Sequence, residues 1–206
     1  MNRHAVQLIS RGAITKIGNM LYDYGNSVWL ASMGTIGKTV LGIYQISELV
    51  TGLLVNPFGG VISDRFSRRK ILMTTDLVCG LLCLAISFIR NDRWMIAALI
   101  VANIVQAIAF GFSRPANKAI ITEVVEKDEI VTYNAHLELV LQVVSVGSPV
   151  FSFLVLQFAS LHATLLLDAL TFFIAFVLVA FLPKEVAKVQ EKKQFTGKDI
   201  FSDIKE

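Results

Sequence analysis

The side chains with chemistry in this sequence recur at helical spacing inside long apolar runs. Lys16, Asn19, Asp23 and Asn26 are separated by three, four and three residues, so a helix would set them on one face. Gln45, Glu48, Gly52 and Asn56 repeat the pattern at three, four and four. Asn103 and Gln106 follow, beside a small-residue edge of Ala107 and Gly111. A fourth stripe runs through Glu138, Gln142, Ser145, Ser148 and Ser152. A charge at the centre of a bilayer costs about 2.5–3.5 kcal/mol on insertion scales, so it normally faces protein or water. Four such stripes predict a hydrated cavity, with Asp23 and Glu48 as carboxylates able to exchange protons. The serines and glycines on the same faces suit ordinary helix packing seams, which is the favoured reading for them. Asp76, close to Lys70, reads as structural. Asp168, alone in its apolar run, is retained with Asp23, Asn26, Glu48, Asn103 and Gln106 as a candidate for cavity or coupling.

Enzymatic constellations fail on placement. Ser145 and Ser148 invite pairing with His136 or His162, but those histidines belong to opposite ends of neighbouring spans, so no single dyad holds both. There is no zinc motif, phosphate loop or dinucleotide fingerprint, and no catalytic residue, metal or cofactor is expected. Cys79 and Cys83 share one helical face in an apolar run and read as small buried hydrophobes.

The elements that must carry the stripes are membrane helices. Of 206 residues, 54% are hydrophobic and 17% charged, against roughly a quarter charged in a soluble domain. The mean hydropathy is +0.63. A net charge of +3 without an aromatic-interleaved basic patch gives no reason to expect nucleic acid. A hydrocarbon core of about 30 Å takes ~20 helical residues. Six segments reach that length, at about 12–34, 40–59, 70–89, 94–113, 133–158 and 162–182. Polar residues interrupt the first of them, so it is not a cleavable signal peptide. With the loop around residues 60–70 in the cytoplasm, three of the 19 lysines and arginines lie outside (Lys38, Arg90, Arg93) and 16 inside. That asymmetry predicts a multi-pass protein of the cell membrane with both termini cytoplasmic. Between the fourth and fifth spans lies a longer connection at about 114–132; Arg114-Pro115 suits the first turn of a solvated or interfacial helix, and a polar connector is the favoured reading. Residues 1–183 form the expected membrane domain and 184–206 a cytoplasmic tail. There Thr196-Gly197-Lys198-Asp199 has the form of a capping box, and Ile200, Phe201 and Ile204 supply an apolar face.

The most specific segment is Gly60-Val61-Ile62-Ser63-Asp64-Arg65-Phe66-Ser67-Arg68-Arg69-Lys70. Its order of glycine, acid and bases resembles the loop between the second and third spans of the major facilitator superfamily, with Ser67 in place of the second glycine. Ser113-Arg114-Pro115-Ala116 and Leu167-Asp168-Ala169-Leu170-Thr171-Phe172 resemble the macrolide-efflux-like branch of its bacterial multidrug exporters. The resemblance spans the chain but corresponds to the N-terminal half of such a protein. It implies an all-α six-transmembrane-helix bundle of two inverted three-helix repeats. It also implies that a second six-span half, or another copy, completes an alternating-access antiporter that expels small amphipathic substrates through lipid. In the family the loop acid latches against a helix of the other half. Carried over, Asp64 is the latch, with Gly60, Arg65, Arg68, Arg69 and Lys70 around it. Two positions depart from the family's proton-coupled exporters. Gln106 stands where they often carry an arginine, and Gly147-Ser148-Pro149 keeps the proline but little of their glycine pattern. Two rival expectations are a truncated, non-transporting membrane remnant or interaction protein, and a half-transporter acting as a homodimer.

Overall fold

The computed structural model describes residues 3–158 and 160–182. Six long helices account for nearly all of them: α1 (Arg3–Ser32), α2 (Gly34–Arg65), α3 (Arg68–Ser87), α4 (Asp92–Val124), α5 (Ile130–Phe158) and α6 (Leu161–Ala180). A 3-10 turn at Lys127–Glu129 joins α4 to α5. The expected tail from 184, with its helix start at Thr196, lies outside the described residues.

Chain reversals explain the element ends. Between α1 and α2 only Met33 intervenes, and Gly34 takes a φ of 75°, a conformation that other residues adopt at a cost. Asn91 starts α4 by accepting from the backbone N–H groups of Arg93 and Trp94 at 3.0 and 3.3 Å. The helix break between α2 and α3 is narrower than the sequence suggested. Residues 60–65 complete the last turns of α2, leaving Phe66 and Ser67 as the link. No proline stands among residues 60–65, and the charges of Asp64 and Arg65 fall at the helix end.

The connection expected from Arg114, whether polar connector or interfacial helix, starts only after Val124, because α4 continues through Pro115. Proline removes the hydrogen bond to the carbonyl four residues back, here Gly111. That carbonyl lies against Gly59 of α2, where a methyl group would overlap it. The glycine pair thus brings two backbones together where α4 has a freed acceptor, and a Cα–H donor can sit on it. Pro57 and Pro149 likewise lie inside α2 and α5.

Helix pairing follows a repeat of the first three helices in the last three. α4 packs on α2 and α3, and α1 packs on α5 and α6, while α3 and α6 pair with each other. Exchanging 1 with 4, 2 with 5 and 3 with 6 maps these contacts onto themselves, as inverted three-helix repeats require. Two apolar clusters fill the interior. One gathers Leu30, Cys83, Met95, Leu99, Leu165 and Phe172, the other Leu8, Leu72, Ile120, Tyr133 and Val179. The second lies at the basic end, where Arg3, Arg65 and Arg68–Lys70 also sit.

Five helical stretches are long and apolar enough to cross a membrane: α2, α3, α4, Lys127–Gly147 leading into α5, and α6. α1 has the length, with 30 residues, but its polar stripe lowers its hydropathy. Its burial among α2, α4, α5 and α6 makes it the sixth helix of the bundle. α2 and α5 keep broad apolar faces uncovered, including Leu49, Leu53, Val143 and Val146.

Candidate functional site

A cleft of about 320 Å³ opens between α1, α2, α4 and α5. From α1 it is lined by Gly12, Thr15, Lys16, Asn19, Met20 and Asp23, positions that recur every three or four residues. Glu48 alone lines it from α2. α4 supplies Asn103, Gln106, Ala107, Phe110, Arg114 and Asn117. Its wall therefore holds acids, bases, amides and an aromatic ring. Asp23 experiences both the like charge of Glu48 and the opposite charge of Lys16. Arg114 stacks its guanidinium 5.8 Å from the centre of the Phe110 ring.

Asn103 is fixed by its amide nitrogen, which donates to the Tyr44 carbonyl of α2 at 2.8 Å and to Ser47 Oγ at 3.5 Å. Tyr44 is held in turn through its hydroxyl by Asn26 at 3.2 Å. Gln106 donates to Cys83 Sγ at 3.1 Å, and that thiol donates to Asp168 Oδ2 at 3.3 Å. Asp23, Glu48, Asn103 and Gln106 therefore line the cleft, whereas Asn26 and Asp168 are wholly buried behind its wall. Tyr22 is buried in the core, and Tyr24 is exposed away from the lining.

The α5 stripe does not join the other three. α5 presents Leu137 and Leu141 to the cleft, while Glu138 and Gln142, one position on, stand exposed beside it. One residue is about 100° of helix rotation, which is enough to turn a stripe out of a cavity.

Arg11 was not among the sequence candidates, yet it makes the best-defined polar contact in the bundle. It grips Asp76 of α3 with Nη2 at 2.7 and 2.9 Å and Nε at 3.1 Å, and its Nη1 donates to Asn117 Oδ1 at 3.2 Å. One side chain so ties α1 to α3 and α4. An arginine at the edge of one apolar run and an acid in another were the available signal, since intramembrane charges generally find each other.

At the basic end the residues singled out divide their tasks. Asp64 is 73% exposed at its side chain and lies 3.7 Å from Arg68. Arg68 also pairs with Glu123 near the end of α4. Arg69 leaves the acid and donates to the Val179 and Ala180 carbonyls at 3.2 and 2.6 Å, satisfying the C-terminal carbonyls of α6. Gly60 faces open space and Lys70 is exposed.

A bundle of apolar helices in inverted triplets, with a charged cleft open along one side, is the architecture of a membrane-embedded domain of the facilitator type. The Major Facilitator Superfamily profile matches residues 12–205, and the chain belongs to that family. The arabinose-proton symporter of Bacillus subtilis (strain 168) is 30% identical over 117 residues. The match takes in 52% of this chain and 24% of that relative, so the chain spans well under half of the curated relative's length. Family and fold together make this a multi-pass membrane protein.

Proposed function

We propose that the chain is the N-terminal six-helix half of a secondary active efflux transporter for amphipathic drugs such as macrolides. This half rocks against a second six-helix half and exposes the cleft to each side of the cell membrane in turn. The observation that carries the reading is the cleft itself, open on the face bounded by α1, α2, α4 and α5, with Asp23 and Glu48 in its wall. A charged, hydrated cleft on an otherwise apolar bundle is the expected place for a solute and a coupling proton. The relative's name pairs its solute with protons, which supports Asp23 and Glu48 as coupling groups. The efflux direction and drug class rest on the Ser113–Ala116 and Leu167–Phe172 resemblances. The distribution of lysines and arginines supports a basic end facing the cytoplasm.

Asp64 fits a latch for a physical reason. It sits in the last turn of α2, where the helix dipole disfavours an acid by about 0.3–1 kcal/mol. Arg68 at 3.7 Å offsets little of that at so exposed a position. A cationic partner from the second half would. The test is accumulation of a labelled macrolide in cells expressing the complete reading frame, with and without a protonophore. Energy-dependent exclusion that disappears in the Asp23→Asn, Glu48→Gln double variant supports the reading. Equal accumulation with and without the protein removes it.

A further inference from the structure

Asp168 presents an arrangement that a packing role does not require. It is 0% exposed in the middle of α6, and its Oδ1 accepts no hydrogen bond among the described residues. Among those residues no lysine or arginine forms an ion pair with it. The groups that face it are Tyr22 and Asp23 from α1, Cys79 and Cys83 from α3, and Gln106 from α4, with Thr171 on its own helix. Gly18 of α1 packs closely on this corner, where a methyl group would come within 2.7 Å of Oδ1 and overlap Thr171 Oγ1. A buried acid without a counter-ion is costly unless a proton neutralises it. A buried carboxylate oxygen that accepts no hydrogen bond is where that proton would sit.

We propose that Asp168 is a proton-binding position set behind the cleft, and that Gln106 reports its occupancy to the cleft wall. The O–H bond forms at Oδ1 with a proton from cleft water and breaks to return it there. Oδ2 remains the acceptor from Cys83 throughout. When the proton is absent, Oδ2 carries charge and its hydrogen bond from the thiol strengthens, drawing Cys83 and the Gln106 amide inward. When it is present, that hold weakens and the Gln106 amide is freer to meet a solute. This deepens the carrier reading by adding a coupling group on α6. Its test does not depend on transport, so the two can fail separately.

The experiment is infrared difference spectroscopy of the purified chain in lipid, with Cys79→Ala leaving Cys83 as the only thiol. The S–H stretch reports the Cys83 hydrogen bond directly, and the protonated carboxyl C=O stretch reports the acid. Between mildly acidic and mildly alkaline pH, both bands are expected to change together. Asp168→Asn should abolish the joint change, and Asp23→Asn should keep it. An S–H band that stays fixed while Asp168 is intact overturns the proposal, even if Asp168→Asn does not fold. So does a joint change that survives Asp168→Asn or disappears in Asp23→Asn.

Discussion

Removing one partner of the Arg11–Asp76 pair should be among the most destabilising single changes available in this bundle. Arg11 is 6% exposed and Asp76 3%, so neither charge can turn to water when the other is gone. Deleting one member of a buried ion pair costs about 3–5 kcal/mol. Asp76→Asn keeps one carbonyl acceptor for the guanidinium and belongs near 3 kcal/mol, or roughly a hundredfold in the folding equilibrium. Asp76→Leu offers Arg11 only the Asn117 contact and belongs near 5 kcal/mol. The paired change Arg11→Met, Asp76→Leu removes the uncompensated charge and should recover most of the loss, since apolar replacement of a whole pair is often neutral. The assay is reversible denaturation in mixed micelles, followed by the fluorescence of Trp29 and Trp94, in a double-mutant cycle. An Asp76→Asn cost below about 1 kcal/mol, or a double variant worse than either single one, would refute the argument.

Other changes follow from the same contacts. Gly59→Val should push α2 away from the Gly111 carbonyl and cost about 1–3 kcal/mol by overpacking, whereas Gly60→Ala, facing open space, should change denaturation little. Asp64→Asn should leave the denaturation midpoint unaltered because its side chain is exposed, and under the proposed latch role it should reduce energised drug exclusion. Cys79 and Cys83 are free and buried, so a bulky maleimide should label neither until denaturant is added. Rapid labelling in the folded state would mean that α3 is not packed as described.

Most of the bundle was legible because membrane spanning is a coarse physical constraint. Apolar length located the helices, and the three- and four-residue spacing on α1, α2 and α4 placed Asp23, Glu48, Asn103 and Gln106 in one cleft. Helix ends were less legible. A proline usually marks a boundary, but Pro115 lies inside α4 because Gly59 leaves room for the carbonyl it frees. The α5 stripe misled because spacing gives a face and not its direction; Leu137 and Leu141 turn inward instead. Arg11 escaped notice for a related reason. It stands one residue before the first expected span, and its partner lies 65 residues away. Pairing over that distance is a tertiary fact that no local pattern contains.

The positions of the prolines divide the bundle mechanically. Three helices with a missing backbone hydrogen bond, α2, α4 and α5, border the cleft, and α3 and α6 at its back have none. A helix without one rung of its ladder bends at lower energy there. Glycine contacts such as Gly59 on Gly111 let the neighbouring backbones slide without a side chain to climb over. The back pair is therefore a stiff spine, and of the four helices around the cleft α2, α4 and α5 are jointed while α1 has no proline. A change in cleft width can be taken up by flexing three helices at fixed points, with the Arg11–Asp76 tie and the α3–α6 seam left undisturbed.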